Sequence, residues 1–440
     1  MTIVPIGKLI LQVPDENHPG FSVELCAAIQ GQILQVVGRC LEEVLEAELE
    51  RQLGRKRYVR RRRAKRQEGK QYCSHCRTHQ RCNFRRNGHY PRYLDTHWGG
   101  ILISVPQVKC VCGGNVKLTF QTLRPRQRWW DDLQLEVQLD YDRGLSYRQI
   151  KADLDERLGR SVGLRRLNQW VLEQFPVPQP APVFELGEAP PVVRLDGIWI
   201  TVMFPTGEVR QDRLGRLRRV KQARKVPILA AQGVWPASGR TRLLAWSRAE
   251  SEDTLSWEQF LEQLDALGIS PENGLALLVG DGSPGLWAAY QNRYWMVPMQ
   301  RCVFHKLLNI AQAFHPPAGL DRQTAKEQRL HFLRNAARIW QAEDESEARY
   351  RYDRFCQQWN ISQPKAVETL AHDFAETLTF YSVQQQAAER GEHWPAHLLR
   401  TTSQLERWFR EFRGRYRRAV LFHSVTGAQA VTALVADRFS

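Results

Sequence analysis

The chain has 440 residues, which predicts two to four domains of ordinary size, and 42% of them are hydrophobic, enough to build real cores. Lys and Arg outnumber Asp and Glu by 63 to 47, and the formal charge of +16 favours polyanionic partners such as nucleic acids. No stretch approaches the roughly 20 apolar residues of a membrane span, and the first residues lack the layout of a secretory signal. Nine cysteines without such a signal argue against a disulfide framework, so we expect a cytoplasmic protein that does not bind membranes.

The first 69 residues predict helices followed by a basic segment. Apolar residues recur at spacings of three and four between 22 and 53, which predicts one or two amphipathic helices that pack on their own domain or form a dimer. The segment 55–66 contains nine Lys or Arg residues and no acidic residue. Such a run repels itself until phosphates neutralise it, so DNA contact is a better interpretation than a solvated tail. The expected contacts include Arg60, Arg61, Arg62 and Arg63.

Residues 70–125 predict short strands and turns that carry two pairs of cysteines. The pairs are Cys73 with Cys76 and Cys110 with Cys112, and they resemble the two knuckles of a zinc ribbon. The second pair is tighter than the usual C-x2-C. We therefore predict a structural Zn²⁺ ion, with free thiols as the alternative. Other side chains in the segment are possible replacement ligands: Cys82, His75, His79, His89 and His97.

Residues 126–176 predict a helix–turn–helix DNA-binding domain. Ser146 is suited to cap one helix and Gly159 to close it. The second helix is expected to bury Leu164, Leu167, Trp170 and Val171. Its outer face would then carry residues suited to reading a DNA groove, namely Arg165, Arg166, Asn168 and Gln169. Plain packing of three helices is the alternative.

The Pro-rich segment 177–191 predicts a linker, and an α/β region follows over 192–440. Strand-like runs alternate with helices there, except over about 306–400, where the pattern is helical. Asp196 lies inside the first strand, and Asp281 ends the apolar run LALLVG. Carboxylates at strand ends of an open α/β sheet gather at one edge, and a buried charge requires a partner or a metal. This favours a functional site, although an Asp that only caps a turn is common.

Three segments carry a resemblance to a known family. LDG at 195–197, GDGSPGLWAAYQNRYWMVPMQRCVFHKLLNI at 280–310 and TTSQLERWFREFRGRYRR at 401–418 resemble the Mutator-like transposases of bacterial insertion sequences. The likeness extends to about 80–130 and so covers most of the chain. Asp196, Asp281 and Glu406 match the three acids of the family, and Cys302 and His305 match its C-x2-H pair.

This chain departs from the family pattern at one position, and several other acids could take the place of Glu406. Ser403 stands where the pattern has Asn, three residues before Glu406. Four further acids compete for the role of the third: Glu368, Glu376, Glu392 and Glu411. The spacing of Cys302 and His305 suits a metal pair, but no second pair lies nearby, which argues against zinc. The resemblance implies that the two residues support the catalytic domain, with a purely structural role as the favoured alternative.

The resemblance implies a ribonuclease-H-like catalytic core with an all-helical insertion, preceded by helical, zinc-ribbon-like and helix–turn–helix segments. It also implies that the three acids hold two Mg²⁺ or Mn²⁺ ions. At this site water would first hydrolyse the DNA strand and free a 3′-hydroxyl at the element end, and this hydroxyl would then attack target DNA. No nucleotide-binding loop is present, so no nucleotide cofactor is expected. The expected partner is double-stranded DNA, handled by a homodimer or larger assembly on the bacterial nucleoid.

Further basic and aromatic residues could serve this activity. Arg410 and Arg413 follow the third acid and are candidates for binding phosphates. Trp340, Trp359 and Trp394 in the helical insertion are expected in the core, with stacking on an unpaired base as the alternative. Two other functions stay open: a DNA-binding protein that has lost cleavage, and a structure-selective nuclease on the same core.

Overall fold

The computed structural model describes residues 23–59, 71–174, 183–419 and 421–437. The chain divides into two compact units, residues 1–174 and 175–440, and each has hydrophobic clusters of its own. The predicted DNA contacts at Arg60, Arg61, Arg62 and Arg63 lie outside the described residues. None of the described helices is both long and apolar enough to cross a membrane.

In the first unit, one long helix packs on a β-hairpin. The elements in chain order are α1 (Val23–Leu53), β1 (Tyr72–Cys73), β2 (Phe84–Thr96), β3 (Gly99–Cys110) and β4 (Val116–Lys117). Strands β2 and β3 pair antiparallel, as do β1 and β4. Leu45 of α1 packs with Leu94 and Ile103 of the hairpin, so the helix packs on its own domain. The expectation of short strands is wrong for β2 and β3, which are 13 and 12 residues long. Alternate residues of β3, such as Ile101, Ile103 and Val105, are buried in the cluster with Leu45 of α1, and this periodic face supports a long strand.

Three short helices follow: α2 (Asp131–Asp142), α3 (Tyr147–Leu158) and α4 (Leu164–Gln174). The side chain of Ser146 caps α3 in a capping box with Gln149, and Gly159 ends that helix with φ of 63°, both as predicted. Leu167, Trp170 and Val171 are buried. The prediction that Leu164 points inward is wrong, because Leu164 begins α4 and is 42% exposed.

The second unit is built on a mixed five-stranded sheet. Its strands are β5 (Val192–Gln211), β6 (Leu217–Trp235), β7 (Arg240–Arg248), β8 (Leu277–Gly280) and β9 (Met299–Arg301). Their spatial order is β7-β6-β5-β8-β9. Strand β6 runs antiparallel to its two neighbours β5 and β7, whereas β8 and β9 run parallel to β5. Strand β9 and the outer half of the β5–β6 pair were not anticipated from the sequence.

Helices cover both faces of this sheet. The helices are α5 (Thr254–Ala266), α6 (Pro284–Arg293), α7 (Val303–Ala313), α8 (Arg322–Ala337), α9 (Glu345–Trp359), α10 (Pro364–Ala371), α11 (Thr379–Glu389), α12 (Ala396–Leu399), α13 (Ser403–Ala419) and α14 (Val425–Asp437). Val193 of β5 packs with α5 and α6, while the adjacent Val192 packs with helices α7 to α12. Successive strand residues point to opposite faces, so the sheet lies between two helical layers.

The end of the predicted linker belongs to the packed unit. Among its described residues, Phe184 packs in the cluster of α5 and α6, and its N–H donates to the carbonyl of Leu267 at 2.9 Å. The carbonyl of Pro191 accepts the N–H of Ala276 at 2.8 Å. These hydrogen bonds attach 183–191 to the sheet before β5 begins.

Helices α7 to α12 share a core rich in aromatic residues. Trp340 and Trp394 are 1% and 3% exposed, and Nε1 of Trp340 donates to Oγ1 of Thr377 at 2.8 Å. Trp359 is partly buried against Phe332 and Phe355. The three tryptophans therefore pack in the core of these helices, as expected, and Trp340 and Trp394 have little surface left for stacking on a base.

Candidate active site

Asp196 lies near the beginning of β5, on the face that meets α7 and α13. Its side chain is 3% exposed. Oδ1 accepts the N–H of Gly197 at 2.8 Å, and Oδ2 accepts the hydroxyl of Thr402 at 3.2 Å. Burial raises the pKa of Asp196 well above its ordinary value; His305 opposes this rise, and the charges of Asp281 and Glu406 add to it.

His305 stands between two carboxylates that are far apart in the chain. Its Nε2 lies 3.8 Å from Oδ2 of Asp196 and 3.6 Å from Oε1 of Glu406. The three side chains bring one ligand atom each within 4.8 Å of one another. Burial alone would lower the pKa of His305, but the Cys302 thiol, Glu406 and Asp196 together raise it to about 11. A charged imidazole therefore compensates part of the buried negative charge.

Glu406 occupies the first turns of α13, whose apolar stripe fixes its direction. Leu405, Trp408 and Phe409 on that helix are fully buried. Glu406 lies beside this stripe, half-buried, and its Oε2 is 3.3 Å from Nη1 of Arg413. The nearby His305 imidazole lowers the pKa of Glu406 against the effect of burial, and Arg413 adds to the lowering. Glu406 is thus held as a carboxylate.

Cys302 joins the three elements that meet at the site. Its N–H donates to the carbonyl of Gly280 at the end of β8, at 2.7 Å, and it immediately precedes α7. Its Sγ accepts the N–H of Thr402 at 3.3 Å and lies 3.4 Å from the Thr402 hydroxyl. Thr402 in turn donates to Asp196. Cys302 therefore contacts Thr402, which is hydrogen-bonded to Asp196, and His305 lies between Asp196 and Glu406.

Asp281 lies near Asp196, His305 and Glu406 but is not part of their group of closely spaced ligand atoms. It follows β8 directly, and its Oδ1 accepts the N–H of Ser283 at 3.0 Å. The group of ligand atoms within 4.8 Å of one another contains His305 in place of Asp281. The charge of Asp281 nevertheless raises the pKa values of both Asp196 and Glu252. Among the described residues, the four competing acids named above belong to no such group.

Glu252 is a further acid at the site that the sequence did not single out. It lies between β7 and α5, and its Oε2 accepts the indole N–H of Trp199 at 2.9 Å. Burial, and next the charge of Asp281, raise the pKa of Glu252. The only signal in the sequence is a group of acids in the segment AESED, which resembles an ordinary helix start.

Two glycines make room for Glu252. A Cβ on Gly197 would lie 3.1 Å from Oε1 of Glu252, and a Cβ on Gly285 would lie 2.5 Å from its carbonyl oxygen. Gly197 is the residue after Asp196 in the LDG motif, and Gly285 belongs to the GDGSPG motif. Both motifs therefore contain glycines where the backbone must approach Glu252 closely.

Arg194 connects the strand to the helices behind the site. It is fully buried, and its Nη1 donates to Oε1 of Gln404 at 2.9 Å and to Oε1 of Gln232 at 3.1 Å. Its Nη2 donates to the carbonyl of Leu398 at 2.7 Å. Because Arg194 and Asp196 are two residues apart on β5, they point to the same face, and Arg194 fixes the start of α13 beside Asp196.

The model of the family described as Transposase, Mutator family matches residues 21–173 and 208–439. The chain belongs to this family. Three relatives are transposases for insertion sequence elements. The chain is 32% identical over 191 residues to the transposase for IST2 from Acidithiobacillus ferrooxidans, and the match covers 43% of this chain and 57% of the relative. It is 34% identical over 211 residues to the transposase for IS406 from Burkholderia multivorans (strain ATCC 17616 / 249), and this match covers 48% of this chain and 49% of the relative.

A longer and weaker match extends over most of the chain. The transposase for ISRM5 from Rhizobium meliloti (strain 1021) is 24% identical over 385 residues, across 87% of this chain and 81% of the relative. In the two stronger matches the chain spans about half the length of the relative. Asp281, Cys302, His305 and Glu406 lie inside the Mutator-family match, and Asp196 lies between its two segments.

The first unit of this Mutator-family chain holds a cluster of four cysteines. Sγ of Cys112 lies 3.5 Å from both Cys73 and Cys76, and Cys76 lies 3.7 Å from Cys110. Zinc–sulfur bonds of about 2.3 Å in a tetrahedron give sulfur–sulfur edges of about 3.8 Å, so the four thiols fit zinc. The structure brings the four predicted ligands together through the pairing of β1 with β4, which sets Cys73 beside Val116.

The protonation of these thiols is uneven. The Gly114 N–H, and next the surrounding side chains, lower the pKa of Cys112 to about 6, whereas burial raises the pKa of Cys110 to about 12. Among the proposed replacement ligands, His89 contacts Glu46 at 3.0 Å and His97 contacts Glu136 at 3.0 Å. The group that could hold a metal consists of the four cysteines. The side chain of Cys82 lies outside the described part of the chain.

The residues of helices α4 and α13 that were predicted to contact DNA differ in exposure and in their partners within the protein. Arg165 and Arg166 on α4 are exposed, and so is Arg410 on α13. Asn168 is partly buried and donates to the hydroxyl of Tyr147 at 3.0 Å. Arg413 is paired with Glu406. Arg166 also donates to Oε1 of Gln169 at 3.0 Å, whereas Arg165 and Arg410 form no ion pair with a described residue.

Proposed function

We propose that this chain is a DNA transposase that hydrolyses a strand at the end of its element and joins the freed 3′-hydroxyl to target DNA. The observation that carries the proposal is the meeting of Asp196 and Glu406 around His305, with Asp281 close enough to raise the pKa of Asp196. Membership of the Mutator family supports it. We further propose that the sheet, with its central β5 bearing Asp196, is a ribonuclease-H-like core.

The donor set fits hard divalent cations such as Mg²⁺ or Mn²⁺. Asp196 and Glu406 offer carboxylate oxygens within 4.8 Å of each other, and Asp281 supplies a third carboxylate at the end of the neighbouring strand. Three nearby carboxylates raise one another's pKa values unless cations share them. Asp196, Asp281 and Glu406 would hold the pair of ions. When bound, the ions would supply charge stabilisation for the transferred phosphoryl group and an acidified water.

The residues around the acids provide positioning and charge balance. Thr402 and the N–H of Gly197 orient the Asp196 carboxylate. His305 keeps a proton at the ring that faces Asp196 and Glu406. Arg413 orients the other oxygen of Glu406. Because phosphoryl transfer depends mostly on positioning and electrostatic stabilisation, such fixed carboxylates are what the reaction requires.

Binding of double-stranded DNA by the other elements belongs to the same proposal. Helix α4 presents Arg165 and Arg166 on an exposed face beside the buried Leu167, the arrangement of a helix that reads a groove. The four cysteines would hold a structural Zn²⁺ ion. Two element ends have to be handled together, so we propose that the chain acts as a homodimer or a larger assembly on DNA.

The test is strand cleavage by the purified full chain on duplexes that carry the two ends of its element, with Mg²⁺ present. We expect cleavage by the wild type and a loss of at least about 100-fold in Asp196→Asn, Asp281→Asn and Glu406→Gln. Glu411→Gln, a change of the rival acid on the same helix, is the matched control and should keep activity. Cleavage that survives the three changes would overturn the site.

Two further outcomes would overturn the transposase proposal itself. Wild-type protein that binds the ends but never cleaves them would indicate a silent DNA-binding protein. Cleavage that follows branched structure regardless of end sequence would indicate a structure-selective nuclease.

A further inference from the structure

Strands β5 and β6 continue as a two-stranded extension beyond the five-stranded sheet. Residues 203–225, here named the basic ribbon, pair antiparallel, with Val209 opposite Arg219 and Arg210 opposite Arg218. Nine residues in one strand of this extension reach roughly 30 Å at about 3.3 Å per residue. Nearly all of its residues are exposed, whereas β6 is buried from Val226 onwards. The ribbon therefore projects from the unit as a surface feature.

The ribbon is strongly and unevenly charged. It contains eight basic residues and two acidic ones. Both acids are already paired: Glu208 lies 3.2 Å from Arg210, and Asp212 lies 2.9 Å from Arg218. Among the described residues, several of the remaining cations form no ion pair: Arg213, Arg216, Arg219, Arg224 and Lys225. This leaves an excess of positive charge on an exposed element.

The tip of the ribbon is an ordered turn. The N–H of Asp212 donates to the carbonyl of Arg216 at 2.9 Å, and Gly215 adopts a φ of 73°. Oδ1 of Asp212 also accepts the N–H groups of Leu214 and Arg216 at 2.9 and 3.0 Å. These hydrogen bonds close the hairpin, so its cations are held on a preorganised scaffold.

Protection against aggregation does not account for this charge pattern. An exposed two-stranded ribbon has unpaired edges, and charged side chains keep such edges from pairing with other chains. Charges of either sign would do that, and so would a mixture. A nearly uniform positive charge indicates a polyanion as the partner. A two-stranded β-ribbon also fits the DNA major groove, which is about 12 Å wide.

We propose that the basic ribbon is a DNA-binding arm that contacts the phosphate backbone of duplex DNA. This rests on the proposed function, since DNA would be the substrate of the same unit. Arg213 at the tip, with Arg219 and Lys225 along one strand, presents cations at intervals along the arm. Lys221 has a local role, because its Nζ donates to the carbonyl of His423 at 2.7 Å. It is therefore kept unchanged in the test.

The test measures binding of the full chain to a DNA duplex as a function of salt. The test variant is Arg213→Gln/Arg219→Gln/Lys225→Gln. The slope of log K against log salt should fall by about 0.9 for each lost phosphate contact, hence by about 2 to 3 in total. The matched control is Arg322→Gln/Lys326→Gln/Arg329→Gln, which removes three exposed cations of α8 that form no ion pair with any described residue. It should leave the slope nearly unchanged. Arg213→Lys/Arg219→Lys keeps the charge and should keep the slope.

The outcomes separate this inference from the proposed function. An equal loss of slope in the ribbon and α8 variants would show that overall charge matters, and would overturn the arm. An unchanged slope in the ribbon variant, together with normal end cleavage, would overturn the arm and leave the transposase proposal standing. A wild-type chain that neither binds nor cleaves duplex DNA would overturn both. Thermal unfolding of each variant checks that the fold is intact, and increased protection of amides 209–219 on DNA supports the arm independently.

Discussion

A Cβ atom on Gly285 would lie 2.5 Å from the carbonyl oxygen of Glu252 and 2.8 Å from the carbonyl carbon of Asp253. Helix α6 thus rests directly on the backbone between β7 and α5. Backbone cannot give way as a flexible side chain can. The glycine therefore sets the distance between Asp281, just before α6, and Glu252.

Gly285→Ala should push α6 away from this backbone. We expect the free energy of unfolding to fall by about 1–3 kcal/mol, the usual range for overpacking, and cleavage to fall as Asp281 moves. Gly414→Ala in α13 is the matched control, since a Cβ there meets nothing within 4 Å. A helical Gly→Ala change without a clash should stabilise by about 0.5–1 kcal/mol. Denaturant unfolding of both variants measures the difference, and equal stabilisation would contradict the close approach.

Glu252→Gln should weaken the response of the site to divalent cations. The change removes a negative charge close to Asp281 while keeping the shape and the acceptor for Trp199. We expect at least about a tenfold loss of cleavage at low Mg²⁺, partly recovered at high Mg²⁺, because fewer carboxylates attract the cation. The measurement is the cleavage rate across a Mg²⁺ titration.

Glu250→Gln is the control for this experiment, since Glu250 is exposed and pairs with Arg248 at 2.6 Å. It should behave as wild type. A Glu252→Gln variant that loses stability while its Mg²⁺ titration matches that of the wild type would show that Glu252 serves only the fold.

The sequence could predict those features that depend on local patterns. The capping box at Ser146 and the helix end at Gly159 follow from short-range hydrogen bonds and backbone preference, and both were predicted. The approach of Asp196 and Glu406 was expected from the resemblance to a family. The motif spacing alone could not place them together, because their distance depends on how α13 packs on β5.

Features that depend on tertiary packing were missed. Glu252 is held at the site by the hydrogen bond from Trp199 and by the close approach of two glycines, Gly197 and Gly285, which lie far from it in the chain. The residues next to Glu252 in the sequence do not indicate this position. The basic ribbon lacks the half-buried face whose alternation predicts a strand. The position of His305 between two carboxylates follows from the start of α7, and its spacing to Cys302 did not predict these neighbours.

Thr402→Val should uncouple Cys302 from Asp196. Thr402 is fully buried, and its hydroxyl donates to Oδ2 of Asp196. Valine keeps the shape but removes the donor, so we expect a loss of about 1–3 kcal/mol in the free energy of unfolding and slower cleavage. Thr402→Ser retains the hydroxyl and should retain most of the cleavage rate. If valine and serine gave the same rate, the hydrogen bond to Asp196 would have no part in positioning it.

The full chain should contain about one zinc ion per polypeptide, held by the four cysteines. Cys76 and Cys112 are the two exposed members, so Cys76→Ser/Cys112→Ser removes two ligands without changing the buried Cys73 and Cys110. We expect this variant to lose its zinc. Amide exchange should rise over 84–117 in the first unit and stay unchanged over the five-stranded sheet of the second, because a structural zinc site stabilises the segment that provides its ligands.

Cys356→Ser is the matched control, since Cys356 is a free thiol of the second unit. It should keep both the zinc and the exchange pattern of the wild type. Elemental analysis of protein purified without chelators gives the stoichiometry. Zinc that persists in Cys76→Ser/Cys112→Ser would show that the ion binds elsewhere. Wild-type protein without zinc would show that the cluster consists of four thiols. In that case Cys112 should react fastest with an alkylating agent, because its pKa is lowered to about 6.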